Sequence, residues 1–369
     1  STEVLKRKSN LRASFRGAPA HPTNLLKGIV MLKFGIMVMP QHPRTDSPVK
    51  RFRETVELTR LARDAGLDSI ACGHHYLSPP FQNLQNVPLL ARLAADSGSM
   101  QLILSILLLP LFSPVQAAED VASLDVMSEG RVVFGVGLGY RDIEYEAFNT
   151  SRRERAGRFT ESLELIRRLW TEEEVTFTGK HFRVTKATCT LRPLQQPHPP
   201  IWIAANNESA ITRAGRLGYA WFLNPHATLS VLERQMPVYR AALKEAGHTM
   251  PADLPIIKEM HIAKTREDAF AIAQPYLEPK YQAYADWGQD KALPGQESFR
   301  VPFAQLAKDR FILGSVEDVI QQIEEHQRRL GVNHFIFRIW WPGMEAYHAY
   351  RVVEMLGAQV LPYFRKRDV

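Results

Sequence analysis

The chain has 369 residues, 45% of them hydrophobic and 23% charged, a globular composition with material for one large domain or two ordinary ones. Its net charge of +7 sits mostly at one end: Lys6, Arg7, Lys8, Arg12, Arg16 and Lys27 face only Glu3 within residues 1–30, so this tail carries +5 and the body +2. So small a charge on the body argues against a nucleic-acid footprint, and the longest largely apolar run, residues 102–109, falls short of the roughly 20 residues of a membrane helix.

The basic tail lacks the long apolar core of a secretory signal. Met31 is the expected natural start, with residues 1–30 an extension outside the fold and residues 31–369 a single domain. From there the pattern alternates. Residues 33–39 (KFGIMVM) read as a strand. Residues 51–65 carry apolar side chains at helical spacing and stop at Gly66. Residues 67–73 form a second strand and 87–95 a second helix. Residues 101–109 (QLILSILLL) read as one strand buried on both faces, followed by a helix over 115–127. Residues 131–137 (RVVFGVG) are the fourth strand and 155–170 the fourth helix.

A hairpin over 174–184, turning at Gly179 and Lys180, interrupts the pattern. Strands over 200–205, 219–223 and 255–263 then alternate with helices over 209–217 and 229–246. A long irregular segment, about 280–312, holds Tyr281, Tyr284, Trp287, Phe299 and Phe303, and is the expected lid. A helix over 316–330, a strand over 333–341 and a last helix over 346–361 complete the chain. Eight strand–helix units predict an α/β fold, a (β/α)8 TIM barrel with two insertions. An open doubly wound sheet would favour a glycine fingerprint after the first strand, and only PQHPR follows Met39.

In such barrels chemistry lies at the carboxyl ends of the strands. His74 and His75 follow the second strand directly. Imidazoles there can shuttle a proton or hold a developing anion; the plain alternative is one histidine capping the loop and the other solvated. Ser105 places a hydroxyl in an apolar strand, which demands a partner. Gly135, Gly137 and Gly139 lead to Tyr140 and let backbone approach a flat ligand. Asn206, Asn207 and Ser209 enter a helix, where free N–H groups attract an anion, although capping alone also explains them. Trp340 and Trp341 point to an apolar or aromatic substrate. Other histidines, among them His42, His181, His198, His226, His248 and His334, are scattered and show no zinc motif. The two cysteines, Cys72 and Cys189, are far apart without metal spacing and fit a reducing, cytoplasmic setting.

Several segments together resemble the bacterial luciferase-like monooxygenase family: GLDSIACGHHY, the block LLLPLFSPVQAAEDVASLDVMSEGRVVFGVGLGY, PIWIAANNESAITRAGRLGYAWF, and HFIFRIWWPGM. The resemblance spans about residues 32–365. It implies reduced FMN at the barrel mouth, supplied by a separate flavin reductase, and oxygenation of a small organic substrate. His74 and His75 would be catalytic, with His74 acting as acid or base. Ser105–Ile106 would be a cis dipeptide beside the flavin ring. Gly137 to Tyr140 would run past the ring and its side chain. Asn206, Asn207 and Ser209 would cradle the phosphate, aided by Arg155 with Arg158 close behind. Two positions depart from the family: Gly73 stands where a glutamate usually precedes the histidines, and Leu138 stands in place of an arginine. The family also implies a homodimer or higher homo-oligomer. Two rival readings are a deazaflavin-dependent hydride-transfer oxidoreductase of the same superfamily, and a flavin-binding relative without turnover. No metal and no membrane or nucleic-acid partner is expected.

Overall fold

The computed structural model describes residues 31–38, 41–294 and 298–366. The expectations for residues 1–30 and for residues 39–40 lie outside them. The strands are β1 (Lys33–Val38), β2 (Gln41–Pro43), β3 (Ser69–Cys72), β4 (Phe81–Asn83), β5 (Gln101–Leu104), β6 (Leu107–Leu108), β7 (Val132–Gly137), β8 (Val175–Thr178), β9 (Arg183–Ala187), β10 (Ile201–Ala204), β11 (Ala220–Phe222), β12 (Pro255–Ile262), β13 (Ile312–Gly314) and β14 (His334–Arg338). The helices are α1 (Pro48–Asp64), α2 (Asn86–Leu93), α3 (Pro114–Met127), α4 (Asp142–Ala147), α5 (Arg155–Thr171), α6 (Glu208–Arg216), α7 (Leu229–Glu245), α8 (Arg266–Asp286), α9 (Phe303–Ala307), α10 (Val316–Leu330), α11 (Ala346–Met355) and α12 (Leu361–Arg365).

Nine strands form one curled parallel sheet in the order β11-β10-β7-β5-β3-β1-β14-β12-β13, with β6 also paired to β7. At its far end Leu223, just past β11, makes a parallel bridge to Ile256 of β12. The Leu223 N–H donates to Pro255 O at 2.9 Å. The strands are short and apolar on both sides because both sides are covered. One cluster fills the inside of the curl, with Ala71, Ile103, Val133, Trp202, Phe222, Ile257 and Ile336. The other lies between sheet and helices and takes the alternate residues, such as Ile70, Leu102, Leu104 and Phe134. This is the period-2 alternation of a strand, read on two apolar faces.

Local signals set the helix ends. Ser47 caps α1 by accepting from the Lys50 N–H, with Pro48 at the first turn, where its missing N–H costs nothing. Ser315 and Asp318 cap α10 reciprocally, and Gly331 ends it with a left-handed φ of 78°, the conformation glycine adopts without a Cβ penalty.

Several elements differ from the sequence expectation. The strand over 101–109 is broken: β5 ends at Leu104, the Ser105–Ile106 peptide is cis, and β6 resumes at Leu107. Residues 142–147 form a short helix, α4, absent from the periodic reading. The irregular segment begins later than expected, because α8 runs through to Asp286. Pro275 and Pro279 inside it disguise the helix, yet Leu277, Tyr281 and Tyr284 are buried, and tertiary packing outweighs a propensity cost. The last strand stops at Arg338, and a π turn at Leu356–Val360 divides the final helix. A β8–β9 antiparallel pair occupies the hairpin position. Among the described residues no helix is long and apolar enough to cross a membrane.

The interior cluster gives the sheet its curl. Trp202 is fully buried there, edge-on to Phe222 at 5.2 Å and to His334 at 5.2 Å. Trp202→Ala should therefore cost about 3–5 kcal/mol of folding stability, read as a lowered urea midpoint with an unchanged slope.

Candidate active site

The parallel strands deliver their carboxyl ends to one face, and a cavity of about 430 Å³ opens there, within the range of small-molecule and cofactor sites. Its wall takes Met37 and Val38 from β1, His74 and His75 from the turn after β3, and Ser105 and Ile106 from the break between β5 and β6. Leu138, Gly139 and Tyr140 follow β7, Ala205, Asn206 and Asn207 follow β10, and His226 lies beyond β11. Arg338 and Trp340 come from β14 and its end.

The two histidines differ in chemistry. His74 is buried between Tyr76 and Phe112, with ring centroids 4.8 and 5.6 Å away. Burial, and then the neighbouring His75, pushes its pKa down to about 3. It is a neutral imidazole at physiological pH. The Leu108 N–H donates to its Nδ1 at 3.3 Å, so the ring proton is assigned to Nε2. Burial thus favours His74 as a neutral hydrogen-bond donor through Nε2 over the acid or base expected from the sequence.

His75 has the partner that His74 lacks. Its Nδ1 lies 3.1 Å from Glu144 Oε1, and the Tyr76 N–H donates to the same oxygen at 3.0 Å. Arg141 reaches it at 3.3 Å while donating to the Tyr76 and Leu77 carbonyls and lying 4.4 Å over the Trp287 ring. Burial by itself would raise the Glu144 carboxyl. The bond and charge of His75, the Tyr76 N–H and Arg141 outweigh burial and hold it below the usual carboxylate range. An ionised carboxylate only accepts, so His75 Nδ1 carries the proton shared with Glu144. Glu144 thus supplies His75 with a carboxylate from α4. Its sequence signal was weak, one of three acids in the stretch YRDIEYEAF that follows the glycine turn.

One end of the cavity is cationic. Arg155 donates to Gly139 O at 3.1 Å and stands beside Arg152 on the wall. Burial, then Arg152, lowers its pKa; burial, then Arg155, lowers that of Arg213. Like charges held together in this way favour an anion between them. Asn207 caps α6 by accepting from the Ala210 N–H at 3.0 Å and from Ser209 Oγ at 2.8 Å. Arg158 is turned elsewhere, donating to Pro110 O at 2.9 Å and stacking on Phe182.

Polar atoms await a ligand along the middle of the cavity. Ser105 Oγ and Asn83 Oδ1 are buried on its wall without a hydrogen-bond partner among the described residues, and such groups are costly unless something satisfies them. Gly139 passes with a φ of 76°, so backbone lines the wall where a side chain would be strained. A planar heteroaromatic ligand with an anionic tail fits this donor set.

Of the residues singled out in the sequence, His74, His75, Ser105, Ile106, Gly139, Tyr140, Arg155, Asn206, Asn207 and Trp340 meet at the cavity. Gly137, Ser209 and Trp341 do not. Gly137 lies beneath Ile106, whose Cδ1 is 2.0 Å from where a Cβ would stand, so its role is to make room. Ser209 braces the Asn207 cap. Trp341 is fully buried and donates to Glu259 Oε2 at 2.7 Å, so it serves the core rather than a substrate. His226, read as unremarkable in the sequence, lines the cavity. Also missed were Gln41 and Arg338, while Tyr284, placed in the lid by the sequence, lies on the wall. Arg338 had a visible signal, a charge inside the apolar strand FIFRIWW.

The family of luciferase-like monooxygenases matches residues 31–334. The chain is 23% identical over 359 residues to the oxygenase component of a flavin-dependent trigonelline monooxygenase of Acinetobacter baylyi, covering 92% of this chain and 97% of that one. It is 26% identical over 328 residues to an F420-dependent glucose-6-phosphate dehydrogenase of Nakamurella multipartita, covering 85% and 92%. An uncharacterised protein of Sinorhizobium fredii is 28% identical over 200 residues, 53% of this chain, and only 56% of that protein's length is spanned. The fold matches the oxygenating constituent of 3,6-diketocamphane monooxygenase from Pseudomonas putida, solved in complex with FMN, with a TM-score of 0.75 and 19% identity over 90% of this chain and 98% of that one.

The Glu144 carboxyl has a folded pKa below its ordinary 4.5. Its contribution to stability is complete above that value and is lost as pH falls through the depressed one. Glu144→Gln should therefore be less stable than the parent at neutral pH, with the gap closing as pH falls below the ordinary carboxylate range. Thermal unfolding of both proteins across that range checks it; a gap independent of pH would detach Glu144 from the His75 pairing.

Proposed function

Because the chain belongs to the luciferase-like monooxygenase family, we propose that it is an FMN-dependent monooxygenase acting on a small organic substrate. The observation that carries this reading is the His75–Glu144 pair beside an unpartnered Ser105 hydroxyl, with Arg152 and Arg155 at the other end of one cavity. The scaffold reading that goes with it is a (β/α)8 barrel. The Leu223–Ile256 bridge supports closure of the curled sheet into a ring, with the β8–β9 hairpin and the segment before the last strand as insertions.

Arg155 and Arg152, with the α6 N-terminus that Asn207 caps, would hold the FMN phosphate. Ser105 and Asn83 would meet polar atoms of the ring system, and Gly139 lets it lie against backbone. When bound and reduced, FMN supplies the two electrons with which O2 gives one oxygen atom to the substrate and one to water. The protein's own part is narrower. His75 Nε2 takes and returns a proton while Glu144 holds Nδ1–H in place. His74, kept neutral by burial, donates a fixed hydrogen bond from Nε2. Ile106, Leu138, Phe222 and Trp340 make the wall apolar and exclude water from the reacting centre. A separate reductase would deliver the reduced cofactor, in the cytoplasm, to a homo-oligomer.

The F420-dependent relative aligns over nearly the same span and supports a second reading, hydride transfer from a deazaflavin. The two part experimentally. With FMN, titration should perturb the flavin spectrum, and reduced FMN with substrate should consume O2 beyond the rate of free flavin. Saturable binding of F420 alone, with no response to FMN, overturns the proposal in favour of the second reading.

Arg155→Ala should weaken FMN binding roughly ten- to a hundredfold, the loss of a charge-assisted contact worth about 1.5–3 kcal/mol. Arg158→Ala should leave it within about threefold, because its guanidinium is engaged with Pro110 and Phe182. Titrations followed by flavin fluorescence compare them. His75→Gln should bind FMN as the parent does and lose product formation by about 10²–10⁴-fold; turnover at the parental rate would remove His75 from the proton path.

A further inference from the structure

The wall opposite the Arg155 end carries a second cationic centre that the flavin does not account for. Around the sheet, β14 is separated from β7 by β1, β3 and β5, and from β10 by β12 and β11. Arg338, the last residue of β14, thus stands across the mouth from the loops that follow β7 and β10. Its side chain is nine-tenths buried, yet it lines the cavity. Nη1 lies 3.3 Å from Glu259 Oε1, and Nη2 donates to Tyr284 Oη at 2.9 Å. Tyr284 passes its own proton to Gln41 Oε1 at 2.9 Å, and Gln41 also lines the cavity.

Glu259 is shared. Lys280 Nζ lies 2.6 Å from the same Oε1, both groups being fully buried, and Trp341 donates to Oε2. One carboxylate therefore serves two cations. Lys280 is sealed in the protein, whereas Arg338 meets the open cavity. Burial, then Arg338, lowers the Lys280 pKa to about 7 against the pull of Glu259, whereas, against burial, Glu259 and Tyr284 hold the Arg338 guanidinium charged. His226, on the same wall, is kept neutral by burial and then by Arg338 and Lys280, so it adds no positive charge. A guanidinium at a low-dielectric wall attracts an anion brought to it. The same cavity is lined by the apolar and aromatic side chains of Met37, Ile257, Phe222 and Trp340.

We propose that the substrate is an organic carboxylate, an apolar or aromatic body whose carboxylate is held by the Arg338 guanidinium with the Gln41 amide beside it. The proposal rests on the monooxygenase reading only for the placement of the flavin phosphate at the Arg155 end, which leaves Arg338 to the substrate. A guanidinium fork matches a carboxylate in two parallel hydrogen bonds. Tyr284 orients the fork as a positioning residue, and Glu259 with Lys280 sets the charge behind it.

The test is binding, which needs no turnover. Benzoate, cinnamate and cyclohexanecarboxylate are each titrated against the corresponding amide, with and without oxidised FMN, following tryptophan fluorescence. Each acid should bind at least about tenfold more tightly than its amide, a difference of about 1.4 kcal/mol. Arg338→Met should erase the difference while keeping the parental affinity for FMN. Lys280→Met, a change outside the cavity that leaves Glu259 to neutralise Arg338 alone, should reduce it. Acids and amides binding alike, neither binding at all, or a preference that survives both substitutions overturns the proposal. So does a loss of FMN affinity in Arg338→Met with the acid preference intact, which would assign Arg338 to the cofactor. Failure of the parent to bind FMN while the acid preference stands would instead strike only the monooxygenase reading.

Discussion

The site depends on one constraint: the main-sheet strands run parallel. Parallel neighbours need a crossover after each strand, so every carboxyl end emerges on the same face. Residues far apart in sequence, such as His75, Ser105, Tyr140, Asn206 and Arg338, are thereby brought to one cavity. The inside of the curl beneath them is filled by Trp202, Phe222, Ile103 and their neighbours. This packed floor fixes the heights of the strand ends, and so the geometry of the cavity above it.

On that floor the chain sets three polar centres in an apolar wall, and each is held by a different device. The His75–Glu144 pair is held by a carboxylate whose burial is offset by Arg141 and the Tyr76 N–H. At the Arg152–Arg155 end, backbone holds Arg155 through Gly139 O and Asp142 holds Arg152. The Arg338 centre is held by a buried acid shared with Lys280. Buried charges persist only where partners satisfy them, and every one of these centres brings its partner from another element. α4 serves the first and α8 the third, which explains why these two helices matter although neither follows the simple strand–helix count.

His74 and His75 show how neighbours in sequence take opposite roles. His74 turns into an aromatic cage, loses its charge and becomes a fixed donor. His75 turns to Glu144 and still lines the cavity. Nothing in the dipeptide separates them; the difference arises from which side chain meets a carboxylate 69 residues away.

The alternation of strand and helix, the order of the units and the loops that carry His75, Tyr140 and Asn207 were legible in the sequence, because period-2 and 3.6-residue patterns are local and record burial directly. The break at Ser105–Ile106, the helix hidden by Pro275 and Pro279, and the outward turn of Arg158 were not, because each depends on what packs against the segment. Trp340 and Trp341 make the point in adjacent residues: one lines the cavity and the other caps Glu259. The sequence by itself determined that parallel strand ends would gather polar groups at one mouth. Only the tertiary structure decided which of those groups share a carboxylate, and therefore which carry a proton and which carry a charge, because burial and pairing are set by residues distant along the chain.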